Sequence, residues 1–255
     1  MNETPTATID VTSITRIDHD EAMRITAVEN RKLGELLEAL RPPDWSTPTE
    51  CTRWDVRAMV AHLIGSAASQ ASPREFLRQK RGGAPICKEL GSPFWWDGMN
   101  ELQVRERAGA TTEQLISEWA AASAKALTAR TKLPRPFARL KLLNLPAPVG
   151  RQPLSYLFDI GFTRDVWTHR IDIAHAVGRE IDHDAAHDGR ILADIVAEWA
   201  ATPGEPFTLV LDGPAGGTFV QGSGGEEVHA GVVDFVRTLS ERTTAEGVLR
   251  HPLPL

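Results

Sequence analysis

The chain predicts an α+β protein, a four-helix bundle followed by a small α/β domain, and three observations carry that expectation. Apolar residues recur at helical spacing in four long segments before Gly178. After Gly178 the segments shorten, and Phe207-Thr208-Leu209-Val210-Leu211 alternates as a half-buried strand does. The third observation is scale: 255 residues, 42% of them hydrophobic and seven of them Trp, can bury one large core or two smaller ones. The predicted division is a flexible N-terminus over 1–18, a helical bundle over 19–180 and a small α/β domain over 181–255.

The first helix is predicted over 20–40, where Leu33, Leu36, Leu37 and Leu40 share a face before Pro42-Pro43 stop it. A second runs from 55 to beyond 65, with Met59, His62, Leu63 and Ser66 on one stripe, so His62 points inward. Residues 82–98 read as a loop, because Gly and Pro punctuate them around the aromatic cluster Phe94-Trp95-Trp96. The third predicted helix covers 112–130, with Leu115, Trp119, Ala122 and Ala126 as its buried stripe. Pro134, Pro136, Pro146 and Pro148 then mark an irregular connection.

The fourth helix is expected over 154–177, and its inward stripe reads Leu154, Phe158, Gly161, Asp165, His169 and Asp172. Beyond Gly178 come a helix over 184–201, a strand over 207–211, a hairpin turn over 213–217 and a returning strand over 218–221. A third strand over 228–231 and a closing helix over 231–242, with Val232, Phe235, Val236 and Leu239 on one side, complete the α/β domain.

Charge and cysteine usage exclude several classes of function. With 28 basic and 34 acidic residues the net charge is −6, the opposite of a nucleic-acid-binding footprint. Cys51 and Cys87 are too few for a disulfide scaffold and lack CxxC spacing, which fits a reduced, cytoplasmic setting. The N-terminal stretch has no apolar signal core, and no apolar run is long enough to span a bilayer, so neither membrane nor nucleic acid is an expected partner.

Three residues carry the candidate chemistry. Asp165 and His169, four apart on the fourth helix, project from one face, and His62 on the second helix can complete a three-donor site for a divalent metal. Burying these groups without a cation would leave a carboxylate to be compensated, at a cost of several kcal/mol, on the order of that for other buried charges. His183 and His187 share the same spacing but sit among Asp182, Asp184 and Asp188, which reads as a solvated helix N-terminus, and the remaining histidines read as surface residues. Cys51 is expected to pack rather than to act as a nucleophile. The Gly-rich stretches over 212–217 and 222–225 lack phosphate-loop order and read as turns, and HExxH and repeated ExxH motifs are absent.

The segment Trp45-Ser46-Thr47-Pro48-Thr49-Glu50-Cys51-Thr52-Arg53-Trp54-Asp55-Val56-Arg57 with Ala61-His62-Leu63 has a family look, as does Arg164-Asp165-Val166-Trp167-Thr168-His169-Arg170-Ile171-Asp172-Ile173 ending at Gly178-Arg179. Together with Leu211-Asp212-Gly213-Pro214-Ala215-Gly216-Gly217 and the tail from Asp234 to Arg242, the chain resembles the mycothiol-dependent maleylpyruvate isomerase family of the DinB-like superfamily. The resemblance implies a DinB-like four-helix domain with zinc, or another divalent metal, held by His62, Asp165 and His169. The characterised isomerase has Glu where this chain has the shorter Asp165. It also implies a catalytic, substrate-contacting role for Arg242, which here follows Glu241 where the family often has Gly. Arg164, Arg170 and Arg242 are candidate carboxylate binders, with surface ion pairing as the plainer expectation.

A three-ligand metal site can hold a low-molecular-weight thiol, mycothiol by resemblance, as its nucleophilic thiolate. The expected function is addition of that thiol to an electrophilic small molecule: departure after bond rotation gives cis–trans isomerisation, and retention gives S-transfer. The expected partners are therefore the thiol and the electrophile, with the chain a monomer or homodimer. Two other classes fit the same residues, a non-catalytic metal-stabilised binding or regulatory protein and a metal-dependent hydrolase.

Overall fold

The structure is a computed structural model that describes residues 8–181 and 183–253. The chain divides into two compact units, one holding 19–140 and 154–180, the other the described residues of 1–18, 141–153 and 181–255.

The first unit is helical. It contains α1 (His19–Glu38), α2 (Val56–Ala71), α3 (Pro73–Leu90), α4 (Trp95–Glu106), α5 (Thr112–Thr131), the short α6 (Arg135–Ala138) and α7 (Phe162–Ala176), which a π-helical stretch over Tyr156–Gly161 leads into. Side-chain caps start the helices where the chain offers them. The Asp55 carboxylate accepts from Ala58 N at 2.8 Å to open α2, and Thr111 and Gln114 form a reciprocal capping box on α5. Leu33 and Leu37 of α1, Met59, Val60, Leu63 and Ile64 of α2, Leu115 and Trp119 of α5, and Val166 and Ile173 of α7 form one buried cluster. Burial of such side chains is worth about 1.5–3 kcal/mol each and is what holds helices of otherwise marginal propensity together.

Residues 82–98 are not the loop that their Gly and Pro content predicts. They belong to the α3–α4 hairpin, whose turn is confined to the few residues after Leu90, where Gly91 takes φ +65°. The glycines serve packing instead. A Cβ at Gly83 would lie 2.6 Å from the Met99 amide nitrogen, and one at Gly98 would lie 2.6 Å from the Cys87 nitrogen. Both helices therefore touch backbone to backbone, and Pro85 is carried inside α3.

The π-helical turn also alters the stripe expected along the fourth helix. Tyr156 and Ile160 are the buried residues there, in place of Leu154 and Phe158, because the i→i+5 hydrogen bonding of the π turn rotates its residues relative to a continuous α-helix. From Thr163 to Ala174 α7 is buried on nearly every side, Asp165 being the partly exposed member. Arg164 and Arg170 are accordingly not surface residues. Arg170 forms a buried pair with Glu29 of α1, Nε to Oε1 at 2.5 Å and Nη2 to Oε2 at 3.3 Å.

The second unit contains β1 (Thr8–Asp10), the hairpin of β2 (Leu143–Asn144) and β3 (Arg151–Gln152), α8 (Asp188–Ala200), β4 (Phe207–Asp212), β5 (Gly217–Gln221), β6 (Glu226–Gly231) and α9 (Val232–Leu239). The main sheet has the order β1-β5-β4-β6, with β4 antiparallel to β5, while β1–β5 and β4–β6 run parallel. Phe207, Leu209, Leu211 and Phe219 point to the buried face, and Trp199 of α8 packs on Phe207 and on Phe235 of α9 at ring separations of 5.0 and 5.6 Å. The 222–225 turn carries Gly225 at φ +89° against the Pro206 backbone, an approach that a side chain would block.

Two boundaries differ from expectation. Residues 1–7 lie outside the described residues, but 8–18 are not a flexible lead: Thr8, Ile9 and Asp10 pair in parallel with Thr218, Phe219 and Val220. Residues 141–153 belong to the sheet unit, so the helical unit is not one continuous stretch over 19–180. An edge strand only three residues long has too little alternation to register as a strand in sequence.

The last helix ends in a motif that explains a departure from the family pattern. The Glu241 N–H donates to Thr238 O at 3.1 Å and the Arg242 N–H to Arg237 O at 2.9 Å, which is the Schellman arrangement, and Glu241 takes φ +59°. The same motif closes α7 with Gly178 at φ +66°. Glycine enters this region freely whereas Glu does so at a cost of about 1–2 kcal/mol, which outweighs the extra freedom that glycine gives the unfolded chain, so Glu241→Gly is expected to raise stability by up to about 1 kcal/mol, read from urea unfolding midpoints. The buried pair gives an opposite case. Arg170→Ala should cost about 3–5 kcal/mol by stranding Glu29, while the Glu29→Leu, Arg170→Met double variant should recover most of that loss in the same assay.

Candidate metal centre

His62 and His169 are placed by two helices of the first unit. Asp55 caps α2 so that His62 falls in its buried second turn, and α7 carries Asp165 and His169 one turn apart. The structure brings all three together: the donor atoms of His62, Asp165 and His169 lie within 4.8 Å of one another. Asp165 Oδ2 is 3.8 Å from His62 Nε2, and Asp165 Oδ1 is 3.5 Å from His169 Nε2. The two imidazoles meet edge to face with centroids 5.5 Å apart. His62 and His169 are buried, whereas the Asp165 side chain keeps 29% of its exposure, so the set has one wet side.

The far nitrogens of both rings are occupied. His62 Nδ1 lies 2.8 Å from Gln103 Oε1 of α4, and His169 Nδ1 lies 2.9 Å from Asp172 Oδ2. That leaves each Nε2 directed at the convergent set, the arrangement in which ligating histidines are usually held. The donor set also passes a test of fit for zinc. Two imidazole nitrogens and one carboxylate oxygen are a borderline N/O set, and tetrahedral bonds of ~2.0–2.1 Å place ligand atoms roughly 3.3–3.5 Å apart, close to the separations found. Among the described residues, no fourth His, Cys, Asp or Glu joins all three within that 4.8 Å span.

Residues 47–56 form the wall behind His62. Thr49 Oγ1 donates to Trp54 O at 2.8 Å and the Trp54 N–H to Cys51 O at 2.7 Å, closing a turn that lays the Trp54 ring on His62 with centroids 5.0 Å apart. Cys51 packs against the helical core, as expected, but the same turn brings its sulfur within 4.8 Å of donor atoms on His169 and Asp172. Neither Gln103 nor Trp54 was singled out from sequence. Gln103 lies just beyond the 82–98 stretch that reads as loop, in a segment to which the sequence assigns no helix.

The remaining candidates lie elsewhere. Arg242 belongs to the sheet unit, at the end of the Schellman turn. His183 and His187 also belong to that unit and are not the solvated pair expected: His187 is buried, His183 is partly buried, and Asp188 is fully buried. The acidic residues cap the start of α8, with the Asp184 carboxylate accepting from His187 N at 2.6 Å and Asp188 accepting from Asp184 N at 3.0 Å, so the turn closes on itself instead of facing water.

This helical unit joined to a small mixed sheet defines a DinB-like α+β fold. The family model described as the mycothiol maleylpyruvate isomerase N-terminal domain matches residues 27–174, and the chain belongs to that family. The same fold is seen in the crystal structure of the mycothiol-dependent maleylpyruvate isomerase, with a TM-score of 0.57 at 16% identity over 90% of this chain and 93% of that one. A His-to-Ala mutant of that enzyme matches with a TM-score of 0.58 at the same identity and coverage. No curated protein sequence matches the chain. Among the described residues no helix is long and apolar enough to cross a membrane.

Glu75, near the start of α3, is tied to this site through Gln79 and has a pH signature of its own. Its hydrogen bond to Arg78 and a second one to Gln79 outweigh burial and hold its carboxyl down at about 2. The unfolded chain takes up that proton first as pH falls, so the contribution of Glu75 is complete above the ordinary value of 4.5 and is lost as pH drops through about 2. The stability difference between the native chain and Glu75→Gln is therefore expected to be constant near neutrality and to shrink below that ordinary value, measured by chemical denaturation at a series of pH values.

Proposed function

We propose that this chain is a metal-dependent enzyme that uses a low-molecular-weight thiol, mycothiol by family, against an electrophilic small molecule, giving isomerisation or S-transfer. The observation that carries the reading is the convergence of His62 Nε2, Asp165 and His169 Nε2 with both Nδ1 atoms already engaged. A divalent metal held there, zinc by the donor set, would supply Lewis acidity that keeps a thiol in its nucleophilic thiolate form at neutral pH.

The chain's own residues set the conditions for that chemistry. Asp165 contributes the negative charge of the donor set, and its partly exposed side is where small molecules would arrive. Trp54 covers one face of His62 and keeps water from that side. Asp172 fixes the ring of His169 through Nδ1 and so keeps Nε2 turned toward the donor set. Three protein donors without a fourth among the described residues favour an open, catalytic site over a closed structural one. The role of Arg242 as a binder of substrate carboxylate comes from the family resemblance and belongs to the same proposal.

Purified protein is expected to bind about one divalent ion per chain, as a single three-donor site would. His62→Ala and His169→Ala should lose most of it by metal analysis, and His183→Ala should keep it. In cobalt-substituted protein, adding mycothiol should produce a sulfur-to-cobalt charge-transfer band. Cobalt bound at this site with a spectrum indifferent to every cellular thiol would remove thiol activation and leave the hydrolase as the stronger reading.

A further inference from the structure

The polar groups buried behind His62 form a line of hydrogen bonds with a set direction. Gln79 of α3 and Gln103 of α4 are both fully buried, so their amide groups must find partners inside the protein. Gln79 Nε2 donates to the Gly65 carbonyl of α2 at 3.0 Å and to Glu75 Oε1 at 2.9 Å. Both partners only accept: one is a carbonyl, the other a carboxylate that Arg78 keeps ionised. With both of its N–H bonds committed, Gln79 has only Oε1 left, which accepts from Gln103 Nε2 at 2.8 Å. Gln103 must then turn Oε1 toward His62 Nδ1, at 2.8 Å.

An acceptor facing Nδ1 requires that nitrogen to carry the proton of the neutral ring, which leaves the lone pair on Nε2. Nε2 is the atom in the convergent set with Asp165 and His169. The packing is built around this line. A Cβ on Gly65 would lie 3.0 Å from Gln103 Cδ and closer still to the rest of that side chain, so glycine at 65 is what admits Gln103 to the back of His62.

We propose that Gln79 and Gln103 are positioning residues, a directional amide relay that selects the Nδ1–H form of His62 and thereby makes Nε2 its metal-binding atom. The assignment rests on the reading of His62 as a ligand. It also distinguishes the two histidines: His169 is backed by the carboxylate of Asp172, His62 by a neutral amide.

The tautomer is read directly in metal-free wild-type protein carrying 15N-labelled histidine, by imidazole nitrogen–proton correlation spectra at alkaline pH. The expected His62 pattern is a protonated Nδ1 and an unprotonated Nε2; a protonated Nε2 with a bare Nδ1 overturns the proposal. Zinc competition titrations supply the second arm. Gln103→Leu, shown folded by circular dichroism and thermal melting, is expected to bind zinc roughly 10–100-fold more weakly, the range for lost outer-shell partners. Gln103→Glu, which restores an acceptor and adds charge, should bind at least as tightly as wild type. Folded Gln103→Leu with wild-type affinity would overturn the relay even if wild type binds zinc. Wild type that binds no zinc would instead sink the metal reading of the site, with the tautomer measurement still deciding the relay.

Discussion

A buried imidazole has two nitrogens to satisfy, and this requirement organises the helical unit around His62. One nitrogen belongs to the convergent set with Asp165 and His169; the other must meet a polar group away from water inside the bundle. Gln103 meets it, Gln79 meets Gln103, and the line ends at the Gly65 carbonyl and Glu75. Four segments are thus held in register by one side chain: α2, α3, α4 and, through the donor set, α7. Half-satisfied, such a network would cost more than an apolar core; complete, it specifies a single arrangement.

Backbone features that resemble defects are what allow the network to form. Gly83 and Gly98 let α3 and α4 approach closely enough for Gln79 and Gln103 to bond, and Gly65 makes room on α2. The π-helical turn before α7 changes the facing of the chain just ahead of Asp165 and His169. π turns are uncommon and recur near functional sites, where a shifted face is useful. The Glu29–Arg170 pair braces α7 against α1 on another side of the same helix.

Membership in the mycothiol maleylpyruvate isomerase N-terminal domain family comes with identity of only 16% to solved structures of the same fold. What is held in common at that distance is architecture, and the chain's own departures have physical readings. The resemblance sets Asp165 against a Glu one methylene longer, yet Asp165 lies 3.5–3.8 Å from both imidazole nitrogens, so its shorter reach does not separate it from the set. Glu241, where the family often has Gly, occupies a left-handed position that glycine enters without strain. The departure there is one of residue type with the left-handed conformation kept, and it says nothing of the neighbouring arginine's chemistry.

The sequence alone determined α1, α2, α5, α8, the strands of the β4–β5 hairpin and the shared face of Asp165 and His169, because each rests on local periodicity or on i, i+4 spacing, whereas the approach of His62 to that pair depends on how α2 packs on α7. Phe207 to Leu211 alternate whatever surrounds them, and Asp165 and His169 share a face on any helix. Tertiary structure decided the rest. The α3–α4 hairpin was hidden because Gly82, Gly83, Pro85 and Gly91 read as breakers, when Gly83 and Gly98 are sites of close backbone approach between two helices. β1 was hidden because three residues become a strand only when β5 offers them partners. The burial of His183, His187 and Arg170 and the partners of His62 Nδ1 follow from contacts between residues far apart in the chain. No local pattern encodes those contacts, since packing, not spacing, chooses which polar group meets which.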